Sequence, residues 1–203
     1  PRTNHFHSGI DIRTQGREGL KIYSIGDGYV SRLKISPWGF GKAIYITHPN
    51  GYMSVYAHLK SLSPKIDSVV EMLQREGQNF SIDEYMEPGV LEVKKGDVIA
   101  LSGNTGSSGG PHLHFEIRRK DTPLNALHFG YKVTDKIAPL VQRLYIYDAT
   151  NAQTVLSPKA FYPKGYGSKY YISDTILTNS DRVGIGLMGH DKQNGDGSSD
   201  GLY

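Results

Sequence analysis

The Asn50-Gly51 step lies between two β-prone runs, Lys42-Ala43-Ile44-Tyr45-Ile46-Thr47-His48 and Tyr52-Met53-Ser54-Val55-Tyr56-Ala57-His58-Leu59. Asn-Gly tolerates the positive φ angles of a tight hairpin turn, so this stretch is committed to two antiparallel strands. The same punctuation recurs along the chain. Leu20–Ile25 and Tyr29–Ile35 flank Gly26-Asp27-Gly28, and Pro37-Trp38-Gly39-Phe40-Gly41 turns the chain into the hairpin. Val90–Val93 and Val98–Ser102 flank Lys94-Lys95-Gly96-Asp97. With 24 Gly, 10 Pro and 14 Tyr among 203 residues, a turn-rich, mainly β fold is expected rather than a helix bundle.

One segment breaks the rhythm. Apolar residues at 69, 70, 72 and 73, with Asp67 as N-cap and Gly77 as terminator, predict a short helix inside an insertion of about 63–90. Gln78 to Pro88 reads as a polar excursion over the surface. After about Val133 the chain leaves its first unit. Lys136-Ile137-Ala138-Pro139 reads as a linker, and strands at Val141–Tyr147, Ala160–Tyr162, Lys169–Ile172 and Val183–Leu187 predict a β-sandwich-like module over 134–203. That module is expected to be incomplete. The acidic, glycine-rich Asp191–Gly201 misses the spacing of a calcium loop and is expected to be a solvated loop.

Net charge is only +3, with no long basic run, which argues against a nucleic-acid partner and suits a polyanionic surface such as a cell wall. No run of about 18 apolar residues is present. Pro1 stands six residues before His7, and the chain is expected to begin inside a longer precursor. Without cysteine, a zinc site must be built from histidine and carboxylate.

Candidates for such a site stand at both ends of the first unit. In Gly110-Pro111-His112-Leu113-His114-Phe115-Glu116, a strand places His112 and His114 on one face. His7-Ser8-Gly9-Ile10-Asp11 offers a nitrogen and an oxygen ligand four residues apart, again on one face of extended chain. His5 is a competing ligand or a polar neighbour, and Gly9 fits a close backbone approach. His58 closes a strand, whereas His48 beside the turn is expected at the surface. Glu116 follows His114 on the same face, as a supporting partner or a plain structural polar group. The small-residue loop Asn104–Gly110 lacks the Lys-Ser/Thr and helix of a phosphate loop.

His7-x-x-x-Asp11, Tyr56-Ala57-His58-Leu59 and Gly110-Pro111-His112-Leu113-His114-Phe115-Glu116 together resemble the signature segments of the M23 (lysostaphin/LytM-type) zinc metallopeptidases, in the family's order. Gly26-Asp27-Gly28-Tyr29-Val30 and Lys95-Gly96-Asp97-Val98-Ile99 resemble its filler strands. The resemblance covers about residues 2–130, within a first domain of 1–133. It implies an antiparallel, hammerhead-like β scaffold with zinc held by His7, Asp11 and His114. It makes His58 and His112 the unligated catalytic histidines; chemically, His112 beside the ligand strand can move the proton and His58 orient water or donate to the oxyanion, the sequence leaving open which takes which step. It further implies peptidoglycan peptides as substrate, action in the periplasm or cell envelope, and regulation by a flanking segment or partner protein.

Three other readings are set beside the enzyme. A LytM-type adaptor without catalysis would activate other wall hydrolases. A lipoyl-like carrier is suggested by Val93-Lys94-Lys95-Gly96-Asp97-Val98-Ile99-Ala100, but no lysine sits centrally in a tight hairpin. A latent enzyme would have its groove blocked by a preceding N-terminal segment or by the C-terminal module. Separately, the insertion at 63–90 is a candidate groove wall or lid.

Overall fold

The computed structural model describes residues 7–131, 136–150, 158–166, 169–173, 175–192 and 199–201. Two compact units form, one over Phe6–Tyr131 and one from the chain that follows. His5 lies outside the described residues.

The first unit is built on an antiparallel sheet. β1 (Ile10–Arg13) is followed by β2 (Lys21–Tyr23), β3 (Gly28–Ile35), β4 (Lys42–Thr47), β5 (Tyr52–Ala57) and β6 (Leu59–Leu62). Then come α1 (Pro64–Glu76), β7 (Ile82–Tyr85), β8 (Glu92–Val93), β9 (Val98–Ser102), β10 (His112–Arg119) and β11 (Thr122–Leu124). The main sheet runs β1-β10-β5-β4-β3-β7, with β11 on β10 and β8 on β3, and β2-β9-β6 form a second sheet. The hairpin at Asn50-Gly51 joins β4 to β5, with Gly51 at φ +80°.

Strand alternation sorts β10 into two faces. Leu113, Phe115 and Ile117 enter the main core with Val30, Leu33, Ile44, Ile46, Tyr56 and Ile99. His112, His114, Glu116 and Arg118 fall on the opposite face. There the register sets His114 against Ala57, Glu116 against Val55, and Val55 against Tyr45. Ala43, Tyr45, Val55 and Ala57 form a second, smaller cluster under Phe40 and Met53. The face that carries the ionisable residues is therefore floored by small and aromatic side chains.

The insertion departs from its expected form. The helix starts at Pro64, with Ser63 at the N-cap, so Asp67 lies in the first turn rather than capping it. Proline supplies the fixed φ and missing N–H that suit the first helical position. Ile66 and Val70 on α1 are buried in the main core. Gln78 to Pro88 is not a free excursion, because β7 pairs with β3 and buries Ile82. β7 is the sheet edge opposite β1, about 24 Å away at ordinary strand spacing. The insertion thus completes the sheet and core at the far edge from β1.

His48 is also not at the surface. It is 8% exposed, its Nδ1 bonded to the Asp27 carbonyl at 2.8 Å and its Nε2 to Ser54 Oγ at 2.8 Å. Ser54 continues to Tyr56 Oη at 3.1 Å. The imidazole is a polar strut beneath the hairpin, a role that depends on partners distant in sequence.

In the second unit, β12 (Leu140–Asp148), β13 (Lys159–Phe161), β16 (Val183–Lys192) and β17 (Ser199–Gly201) form an antiparallel sheet in the order β13-β12-β16-β17. β14 (Lys164–Tyr166) and β15 (Lys169–Tyr171) form a ribbon. The expected solvated loop is corrected at both ends, since Asp191 pairs with Asp200 and Lys192 with Ser199 as a hairpin. Its middle, 193–198, lies outside the described residues. Among the described residues, no helix is long and apolar enough to cross a membrane.

Candidate active site

The β1–β10 ladder sets Asp11 directly opposite His114 and Arg13 opposite His112. His7 enters just before β1. The close approach requires glycine at position 9, where a Cβ would lie 2.2 Å from the Phe115 carbonyl oxygen. The three atoms His7 Nε2, Asp11 Oδ1 and His114 Nδ1 consequently stand 3.0 Å from one another. Two nitrogens and one carboxylate oxygen that converge in this way suit zinc. Tetrahedral bonds of about 2.0–2.1 Å would place ligand atoms about 3.3–3.4 Å apart, so the triangle needs only slight expansion.

The electrostatics of the trio favour its charged acceptor. Burial pushes the Asp11 carboxyl up, but hydrogen bonds and charge from His114 and His7 outweigh it and hold the group well below the usual carboxylate range. For His114, burial pushes the ring down, whereas Asp11 and Glu116 pull it above its ordinary value. Glu116 is wholly buried and accepts from His114 Nε2 at 2.8 Å, from Arg118 Nε at 2.5 Å and from the Ser8 hydroxyl. Burial opposes its charge, and these three donors bring its carboxyl down to about 2.

His58 and His112 stand beside the trio without joining it. Their ring centroids are 4.7 Å apart, His58 lies 5.9 Å from His114, and His112 Nε2 is 3.5 Å from Asp11 Oδ1. His58 Nδ1 bonds the Thr105 carbonyl at 2.8 Å, and His112 Nδ1 bonds the Gly110 carbonyl at 2.8 Å. A carbonyl only accepts, so each Nδ1 carries the proton and each neutral ring keeps a bare Nε2. Both Nε2 atoms are buried and have no hydrogen-bond partner among the described residues. In neutral His58 that proton stays on Nδ1, donated to the Thr105 carbonyl, so the ring presents Nε2 as an acceptor. Burial drives the His58 pKa down to about 4, with the Thr105 bond opposing it. His58 also holds φ at +59°, an uncommon conformation for a residue with a Cβ.

The loop Asn104–Gly110 is the frame of these two rings. Thr105 Oγ1 donates to the Leu59 carbonyl at 2.8 Å and accepts from Lys42 N–H at 3.0 Å. Ser107 N–H donates to the Gly39 carbonyl at 2.8 Å, and Gly39 N–H donates to Ser107 Oγ at 3.0 Å. Phe40, on the same turn, accepts from His58 N–H through its carbonyl and packs its ring 4.9 Å from that of His114. Thr105, Ser107 and Phe40 were not marked by sequence. Their signal was only the density of glycine and small residues, which this contact explains.

A Cβ at Gly106 would lie 2.3 Å from Gly41 N, and Gly106 holds φ at +75°. Gly106→Ala is therefore expected to lower stability by about 2–4 kcal/mol, combining a left-handed backbone with a steric clash. Thermal unfolding against wild type checks this, and an unchanged Tm would contradict the close backbone packing.

A family model, Peptidase family M23, matches residues 5–79 and 86–126. The DD-carboxypeptidase/endopeptidase Mpg of Neisseria meningitidis serogroup B is 33% identical over 123 residues, which are 61% of this chain and 22% of that protein. The peptidoglycan DD-endopeptidase ShyA of Vibrio cholerae is 33% identical over 121 residues, 60% of this chain and 22% of that protein. The murein hydrolase activator NlpD of Salmonella dublin is 36% identical over 123 residues, 61% of this chain and 26% of that protein. The chain thus spans about a fifth to a quarter of the length of these relatives.

Proposed function

Because the chain belongs to peptidase family M23, we propose that it is a zinc-dependent endopeptidase that hydrolyses peptide cross-links or stem peptides of bacterial peptidoglycan. His7, Asp11 and His114 hold the zinc, and His58 and His112 are its unligated catalytic histidines. The observation that carries this reading is the pair of bare, buried Nε2 atoms beside a converging His, Asp, His trio. Three ligands with a position left over suit catalysis, whereas a structural site is closed by four.

When bound, zinc supplies Lewis acidity, lowering the pKa of a water to about 7 and polarising the carbonyl under attack. The protein supplies the proton path. The bare Nε2 of His112 accepts the proton of the attacking water, and the imidazolium that results donates it to the leaving amine. His58, with its pKa near 4, stays neutral at working pH and is a poor store for a proton. Its Nε2 instead accepts a hydrogen bond and orients the water. The site of action is the cell envelope, an inference from the peptidoglycan endopeptidases it resembles.

A second reading, a silent adaptor, is favoured by the likeness to the activator NlpD. Incubation of the zinc-loaded protein with purified peptidoglycan separates the two. Soluble muropeptides, abolished by a chelator and restored by zinc, are the expected outcome. Intact peptidoglycan, with or without the chain beyond Lys132, would leave the adaptor.

A further inference from the structure

We propose that Glu116 is a positioning residue that makes His114 a ligand through Nδ1 and ties the two ligand-bearing segments together; this rests on His7, Asp11 and His114 being the metal ligands. Imidazole has two nitrogens, and only the one without a proton binds metal. An ionised carboxylate offers no donor, so the Glu116 bond at 2.8 Å keeps a ring proton of His114 on Nε2. With that proton held on Nε2, Nδ1 is the nitrogen that gives up its proton to a metal; without metal it bonds Asp11 Oδ1 at 3.0 Å and stands 3.0 Å from His7 Nε2.

The same carboxylate oxygen accepts the hydroxyl of Ser8, between His7 and Asp11. One buried group therefore fixes the ligand strand β10 and the ligand segment of residues 7–11. The backbone is matched to it, since a Cβ at Gly9 would meet Glu116 Cγ at 2.7 Å. Arg118 answers the charge from the other side at 2.5 Å and also lies over the Tyr45 ring, 5.7 Å from its centroid. A merely structural role explains this poorly. Val55 opposite Glu116, and the other members of this small cluster, are apolar or aromatic. An apolar side chain at 116 would pack there without the desolvation that a buried carboxylate must overcome.

Glu116→Gln keeps the shape and removes the charge. A Gln amide can present either its oxygen or its N–H to His114, so it no longer dictates the tautomer. The test is zinc affinity by competition with a chromophoric chelator, together with ring nitrogen shifts of His114 by NMR and thermal unfolding of the metal-free protein. Glu116→Gln is expected to weaken zinc binding about 10–100-fold and give a mixed His114 tautomer, with the metal-free protein still folded. Ser8→Ala, which leaves Glu116 in place, is expected to weaken it about threefold to tenfold. Wild-type affinity in both variants, or a lowered Tm with unchanged affinity and tautomer in the folded protein, overturns the proposal while His114→Ala still loses zinc. If His114→Ala binds zinc as wild type does, the ligand assignment itself falls, and the proposal with it.

Discussion

Asp11→Ala and His114→Ala are each expected to reduce zinc affinity by about 10²–10³-fold and to abolish peptidoglycan cleavage. The magnitude follows from dividing the about 10–16 kcal/mol of a four-ligand zinc site among its ligands, which gives about 2.5–4 kcal/mol each. Asp11 supplies the only carboxylate oxygen of the trio, at 3.0 Å from both histidines. Its removal leaves two imidazoles without the anion that draws them together. His114 is 1% exposed and hydrogen-bonded at both ring nitrogens, so its loss also frees Glu116 in a buried site. His114→Ala should therefore destabilise the protein more than Asp11→Ala, whose side chain reaches solvent. Chelator competition measures affinity, and thermal unfolding without metal measures the difference. Retention of wild-type zinc affinity by either variant contradicts the assignment.

His112→Ala is expected to behave oppositely, binding zinc within about threefold of wild type but losing about 10²–10⁴ in kcat. Its Nε2 faces the site with no hydrogen-bond partner among the described residues, and its Nδ1 is spent on the Gly110 carbonyl. It approaches the metal trio through its Nε2, 3.5 Å from Asp11 Oδ1. His58→Ala is expected to retain zinc likewise and to lose kcat, less steeply if it orients water rather than carrying the proton. Because the rings lie 4.7 Å apart and are proposed to act on one water, the double variant should cost less than the sum of the two. Steady-state kinetics with a fixed zinc load distinguishes these outcomes. A large loss of zinc in His112→Ala would instead make it a ligand.

Local chemistry made part of this molecule legible in its sequence. The Asn50-Gly51 turn, the alternation of β10 and the pairing of histidine with carboxylate four residues apart are all short-range signals. They led to the hairpin and to the face shared by His112, His114 and Glu116, whereas the choice of His7, Asp11 and His114 as the trio came from the family resemblance; the atoms of those three stand together. What was misjudged depends on contacts distant in sequence. His48 is buried because Asp27 and Ser54 satisfy both of its nitrogens. Residues 82–85 become a strand because β3 offers them a sheet edge. The Asn104–Gly110 loop carried no motif, yet its carbonyls fix the protons of both free histidines. Glu116 was visible as a neighbour of His114, but its bond to Ser8 needed the register of β1 on β10.

The most direct test of the central claim is an anomalous difference map at the zinc edge, from crystals of the zinc-loaded protein. One peak is expected, within about 2.2 Å of His7 Nε2, Asp11 Oδ1 and His114 Nδ1, and clear of the Nε2 atoms of His58 and His112. A peak bonded also by His58 or His112 would mean a closed, structural centre. A peak elsewhere, or none, would contradict the metal site altogether.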